Sequence, residues 1–89
     1  MPRTLTISYS EPNATIGTIS FYLDSVRVCA LHNGQIQTVE MSEDSHTLQA
    51  RIWGVFPIMK KQIPAGSSKW ELYLQNGAFS NKFILKELR

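Results

Sequence analysis

From Ser20 to Trp53 the chain reads SFYLDSVRVCALHNGQIQTVEMSEDSHTLQARIW. Short runs in which every second residue is apolar are broken at Asp24-Ser25, Asn33-Gly34 and Glu43-Asp44-Ser45. A repeat of two places alternate side chains on one face of an extended strand, and no helix keeps such a pattern on one side. Asn and Gly tolerate the positive φ that tight hairpin turns demand. This punctuation predicts consecutive β-hairpins, with Asn33-Gly34 as the strongest turn of type I′.

The pattern continues on both sides. Leu5, Ile7 and Tyr9 mark a first strand, and Ile19, Phe21 and Leu23 a second. Val26, Val28 and Ala30 form the apolar phase of a third. QIQTVEM, the fourth, keeps its phase only if a bulge falls near Gln37-Thr38 or if Ile36 sits exposed at an edge. Leu48, Ala50 and Ile52 mark the fifth. Pro57 and Pro64 cannot donate to a ladder, so IMKKQI between them reads as an edge strand. Trp70, Leu72 and Leu74 share a face in the seventh, which makes Trp70 a core residue, and Phe83 with Leu85 does the same in a closing strand. The expected fold class is all-β: a small, mainly antiparallel β-sandwich, Ig-like, of seven to eight short strands in a single domain spanning residues 1–89.

The chain carries nine Lys and Arg against seven Asp and Glu, a net charge of +2. That is too weak for a nucleic-acid binder by charge alone. Lys60, Lys61, Lys69, Lys82, Lys86 and Arg89 crowd the last third, while Arg3, Arg27 and Arg51 are scattered and read as solvated surface. One cysteine, Cys29, rules out an internal disulfide and reads as a small apolar filler. The absence of a disulfide framework and of an apolar leader-like run leans towards the cytoplasm or a bacterial source, with a piece of a surface protein as the alternative. Asn13-Ala14-Thr15 fits the glycosylation acceptor pattern, a short and common one.

Catalysis needs a nucleophile, a base and a group that orients the base. His32 and His46 flank the fourth strand and fall at opposite ends of it, so they do not converge. Cys29 and His32 form a lone C-x-x-H without a second ligand pair. The five glycines are isolated, so no phosphate-cradling loop is expected. These observations predict no enzyme, no metal and no cofactor. Tyr22, Trp53 and Tyr73 fall on the polar phase of their strands. With Arg27, Gln49 and Arg51 they are the candidate binding residues, since aromatics and Arg are enriched at contact hot spots. The expected function is a non-enzymatic interaction or assembly module acting through a sheet face or edge, with a protein partner or a second copy as ligand. Two alternatives stay open: a carbohydrate-binding module stacking sugars on the exposed rings, and a single-strand nucleic-acid binder using the basic C-terminal third.

FYLDSVRVCALHNGQIQTVEMSEDSHTLQARI resembles the repeat of small bacterial β-sandwich domains of the PEGA type. The matching positions are Asp24, Gly34, Val39, His46, Leu48 and Ala50, in about a third of the chain. Where those domains place Gly after the acidic residue, this chain has Ser25, and where they place Pro-Gly before the His it has SEDS. The resemblance implies a non-catalytic accessory domain attached to surface, envelope or signalling proteins, and it carries over no functional residue.

Overall fold

The computed structural model describes residues 2–10, 17–52, 55–76 and 81–88. Eight strands run in chain order: β1 (Arg3–Tyr9), β2 (Ile19–Leu23), β3 (Val26–Leu31), β4 (Gln35–Met41), β5 (His46–Ile52), β6 (Phe56–Ile63), β7 (Lys69–Asn76) and β8 (Asn81–Leu88). They form two four-stranded sheets, β4-β1-β7-β8 and β3-β2-β5-β6. The sheets pack face to face as a small sandwich. Leu5, Ile7 and Tyr9 of β1 and Leu72 of β7 meet Ile19 and Phe21 of β2 and Leu48 of β5, all fully buried. Trp70, Leu74, Phe83 and Leu85 pack against that core, and the Phe21 and Phe83 rings meet edge to face, 6.1 Å apart. The indole N–H of Trp70 is buried without a partner among the described residues. The C-terminal segment is a strand, as its alternation predicts.

Three of the connections are hairpins: β2–β3, β5–β6 and β7–β8. The others cross between sheets, so the expectation of consecutive hairpins is corrected at β3–β4 and β4–β5. The physical reason lies in the turns. At Asp24-Ser25 both residues have positive φ, 51° and 71°, the type I′ geometry whose twist matches paired strands. At Asn33-Gly34 only Gly34 does, with φ 89°, and Gln35 N–H donates to the His32 carbonyl at 3.2 Å. That is a type II turn, not I′, and it splays β3 and β4 into different sheets. Gly34 N–H then donates to the Tyr9 carbonyl at 2.7 Å, anchoring the arch to β1.

β1 is flanked by β4, antiparallel, and by β7, parallel. The β1–β4 register runs without a break, and Ile36 is 68% exposed on the edge. Of the two ways to reconcile its phase, edge exposure is therefore realised. The bulges fall elsewhere. Phe21 pairs with Cys29 and Tyr22 with Arg27, so Val28 is an extra residue in β3. Beyond that shift Cys29 and Leu31 turn towards the core and Ala30 is exposed, while Val26, before it and paired with Leu23, is exposed at the hairpin end of the edge strand; together these correct the predicted apolar phase. In the β5–β6 pair Ala50 faces Met59 and Arg51 faces Pro57, which leaves Ile58 as the extra residue. β6 is an edge strand as predicted, and it begins earlier, at Phe56.

Candidate functional site

The outer face of the β3-β2-β5-β6 sheet gathers four of the sequence-predicted residues. Tyr22 pairs with Arg27 on one side and with Gln49 on the other, and Gln49 pairs with Lys60. Arg27, Tyr22, Gln49 and Lys60 thus form one row across all four strands. The guanidinium of Arg51 lies over the Tyr22 ring, 4.6 Å from its centre, a distance at which a cation is attracted to the π face. Gln49 Oε1 accepts from Arg51 Nη2 at 2.9 Å and from Nε at 3.2 Å, which fixes the stack. Thr47 and Gln62 pair in the next outward row and share a hydrogen bond. The Arg27–Tyr22–Gln49–Lys60 row holds no carboxylate, and with Arg51 it carries three positive charges; Asp24 flanks the Thr47–Gln62 row, its carboxylate bonded to the Thr47 N–H.

Tyr73 is not part of this surface. It lies in β7, between Ser8 of β1 and Ile84 of β8, in the other sheet. The outward positions there are Thr4, Thr6 and Thr38, where the Thr6 and Thr38 hydroxyls hydrogen-bond at 3.3 Å, together with Glu40 and Glu71. Trp53 lies outside the described residues.

The structure also assembles a polar cluster that the sequence reading missed. Arg3 reads as scattered surface charge, yet it is only 4% exposed. Its guanidinium donates to the carbonyls of Ser42 (3.0 Å), Asp44 (2.8 Å), Pro64 (2.8 Å) and Ser68 (3.4 Å). One planar fork of donors thereby ties the β4–β5 arch to the β6–β7 arch. Gly66 N–H donates to the Glu43 carbonyl at 2.9 Å and adds a direct link between the same arches. The only signal in sequence was the alternation of β1, which places residue 3 in phase with Leu5 and Ile7.

Beside it, His46 opens β5 with its ring turned inward, 8% exposed. Its Nδ1 lies 2.5 Å from Asp24 Oδ2, and Asp24 Oδ1 accepts from Thr47 N–H at 2.9 Å. These two hydrogen bonds, first the one from His46, hold the Asp24 carboxyl below its ordinary range. His46 Nε2 sits 3.1 Å from both the hydroxyl and the carbonyl oxygen of Ser42. The order Asp24, His46, Ser42 is that of a serine-hydrolase relay. Here, however, the Ser42 hydroxyl also donates to Asp44 Oδ2 at 3.3 Å and accepts from Asp44 N–H at 3.4 Å. It caps its own turn. His32 lies at the other end of β4, where its Nδ1 meets the Thr18 hydroxyl at 3.0 Å, so the two histidines stay apart as expected. Cys29 is half-buried, and burial pushes its thiol pKa up, which lowers its reactivity.

A third feature opens between the sheet edges β6 and β8. It is a cleft of about 440 Å³ lined by Ile19, Ile58, Met59, Lys60, Lys61, Leu74, Lys82 and Phe83. Lys61 is paired with Leu48, on the inward phase of β6, and so reaches the rim of this cleft. Among the described residues no cluster of His, Cys, Asp and Glu could hold a metal ion, and no helix is long and apolar enough to cross a membrane.

Comparison with known proteins adds no relative: no family model, no curated protein and no solved structure matches this chain.

Proposed function

We propose that this chain is a non-enzymatic interaction module whose recognition surface is the outer face of the β3-β2-β5-β6 sheet, and that its partner is a protein with an acidic surface. The observation that carries this reading is the row Arg27–Tyr22–Gln49–Lys60 with Arg51 stacked on Tyr22, free of any carboxylate. Arg and Tyr are the side chains that most often anchor protein contacts. Holding Arg51 against the ring by two bonds to Gln49 lowers the ordering cost of binding. The resemblance to PEGA-type accessory domains points the same way.

The stacked guanidinium bears on the alternatives. A sugar needs a bare aromatic face, and one face of Tyr22 is already covered by Arg51. A second copy packed on the same face would meet it with charge of the same sign, which favours a different, acidic chain. The reading is non-catalytic because Ser42, the residue placed as a nucleophile would be, has its hydroxyl committed within its own turn, and the ring of His46 is buried behind it.

The test is titration of the labelled protein with a polyglutamate peptide, a single-stranded oligonucleotide and a set of oligosaccharides over a range of salt. The expected result is salt-sensitive binding of the acidic peptide that R27E/R51E abolishes. Oligosaccharide binding insensitive to salt, or peptide binding unchanged in R27E/R51E, would overturn it. A preference for the oligonucleotide would replace the protein partner with a nucleic acid. A fluorophosphonate probe reports on the other half of the reading: no labelling of Ser42 is expected, and stoichiometric labelling would make the relay catalytic.

A further inference from the structure

The cleft between β6 and β8 has a chemistry of its own. Its floor is apolar: Ile19 is fully buried, and Met59, Leu74 and Phe83 are half-buried and packed against the core. Its rim holds three lysines, Lys60, Lys61 and Lys82, and no acid. None of the three makes an ion pair or a side-chain hydrogen bond among the described residues. The volume falls within the range of small-molecule sites, which combine apolar walls with a few convergent polar groups.

Three kinds of occupant are disfavoured by the geometry. An added β-strand would need a regular edge. β6 instead carries Pro57, which has no N–H, an extra residue at Ile58, and the inward-phased Lys61. These are the devices by which edges refuse further pairing. A bare anion would use the lysines and leave the floor wet. An uncharged apolar molecule would fill the floor and leave three ammonium groups crowded without a counter-charge.

We propose that this cleft binds single-chain anionic amphiphiles: an alkyl or acyl chain along Ile19, Met59, Leu74 and Phe83, with its carboxylate or phosphate head held by Lys60, Lys61 and Lys82. The head needs only compact negative charge, which lysine ammonium groups recognise as point charges. The site is independent of the sheet-face reading, apart from Lys60, which borders both.

The experiment is calorimetric and NMR titration of the whole chain with dodecanoate, dodecyl phosphate and neutral dodecyl maltoside, each below its micelle concentration. Acetate and inorganic phosphate serve as head-only probes. The expected result is one-to-one binding of the anionic amphiphiles, with the Met59 methyl and the Ile19 and Leu74 signals shifting. The neutral amphiphile should bind about tenfold more weakly or worse, and the head-only probes not at all. Binding of only one of the two heads keeps the proposal and names the head. K61Q/K82Q should lose about tenfold in affinity, and Leu74→Trp, which fills the cleft, should abolish binding while the chain stays folded. R27Q/R51Q, on the sheet face, should bind as the parent does, so failure of one site is not mistaken for failure of the other. Equal binding of the maltoside, full affinity in K61Q/K82Q or in folded Leu74→Trp, or saturable binding of the head-only probes would overturn the proposal.

Discussion

The two ends of the sandwich are built on opposite principles. At the end where β1 begins, polar groups are buried and paired: Arg3 bonds four carbonyls, and Asp24 holds both the His46 ring and the Thr47 amide. At the end where β6 and β8 begin, apolar side chains line an open cleft, and its three lysines have no partner among the described residues. Directional hydrogen bonds to fixed carbonyls specify one arrangement of the arches, because a buried carbonyl left without a donor costs free energy. Apolar surface and unmatched charge specify nothing by themselves and await a ligand. One end thus holds the fold and the other is available for binding.

Breaking the first end should have the largest effect. Arg3→Ala strands four carbonyls in two arches and should cost about 3 kcal/mol in urea unfolding at an unchanged m-value. Arg3→Lys keeps the charge and loses the fork, and should recover only part of that. An unchanged midpoint in Arg3→Ala would mean that the arches hold themselves, through Gly66 and Glu43.

Next in size is Phe83→Ala, at the cleft. Phe83 is half-buried and contacts Phe21 edge to face, so about 2 kcal/mol is expected, below the 3–5 kcal/mol of a fully buried ring. A loss as large as that of Arg3→Ala would show that the cleft end carries as much of the fold as the tied end.

The pH dependence sharpens the contrast. The Asp24 carboxyl has its pKa lowered in the folded chain relative to the ordinary value of 3.8. A depressed carboxylate stabilises the fold fully above the unfolded value, and that contribution fades as pH falls from 3.8 through the lower folded value. Asp24→Asn should therefore be less stable at neutral pH and should flatten the acid limb of the stability curve. A parallel acid limb in the variant would assign the titration to another group.

The smallest effect is a gain. Ser25 sits at φ 71° in a type I′ turn, a position that glycine occupies without steric cost. Ser25→Gly should raise stability by about 0.5 kcal/mol, the relieved strain being partly offset by the greater entropy of glycine in the unfolded chain. A loss of stability would show that the Ser25 side chain contributes an interaction to the turn.

Much of this was legible in the sequence, for identifiable reasons. β1, β5 and β7 are central strands with one buried face, and there alternation translates directly into burial. β3, β4 and β6 are edges, and there the reading faltered: Val26 and Ala30 look like core, and Ile36 looks out of phase. An edge strand has fewer neighbours to enforce its phase, and a single bulge residue, Val28 or Ile58, reverses it without any mark in composition. The proposed binding face was half legible. Tyr22, Arg27, Gln49 and Arg51 come together because they share the outward phase of adjacent strands. Tyr73 shares that phase too and lies on the opposite sheet, since phase does not say which sheet a strand joins.

By itself, then, the sequence determined that this chain is built of short strands, where the β2–β3 hairpin turns, and which side chains of the central strands face inward. Those follow from local sterics and from a period of two. The tertiary structure alone decided that Asn33-Gly34 is an arch, that Arg3 is buried, that Asp24 meets His46, and that lysines from β6 and β8 share one cleft. Each depends on residues far apart in the chain, brought together only when two sheets close on a common core. No local pattern encodes that distance.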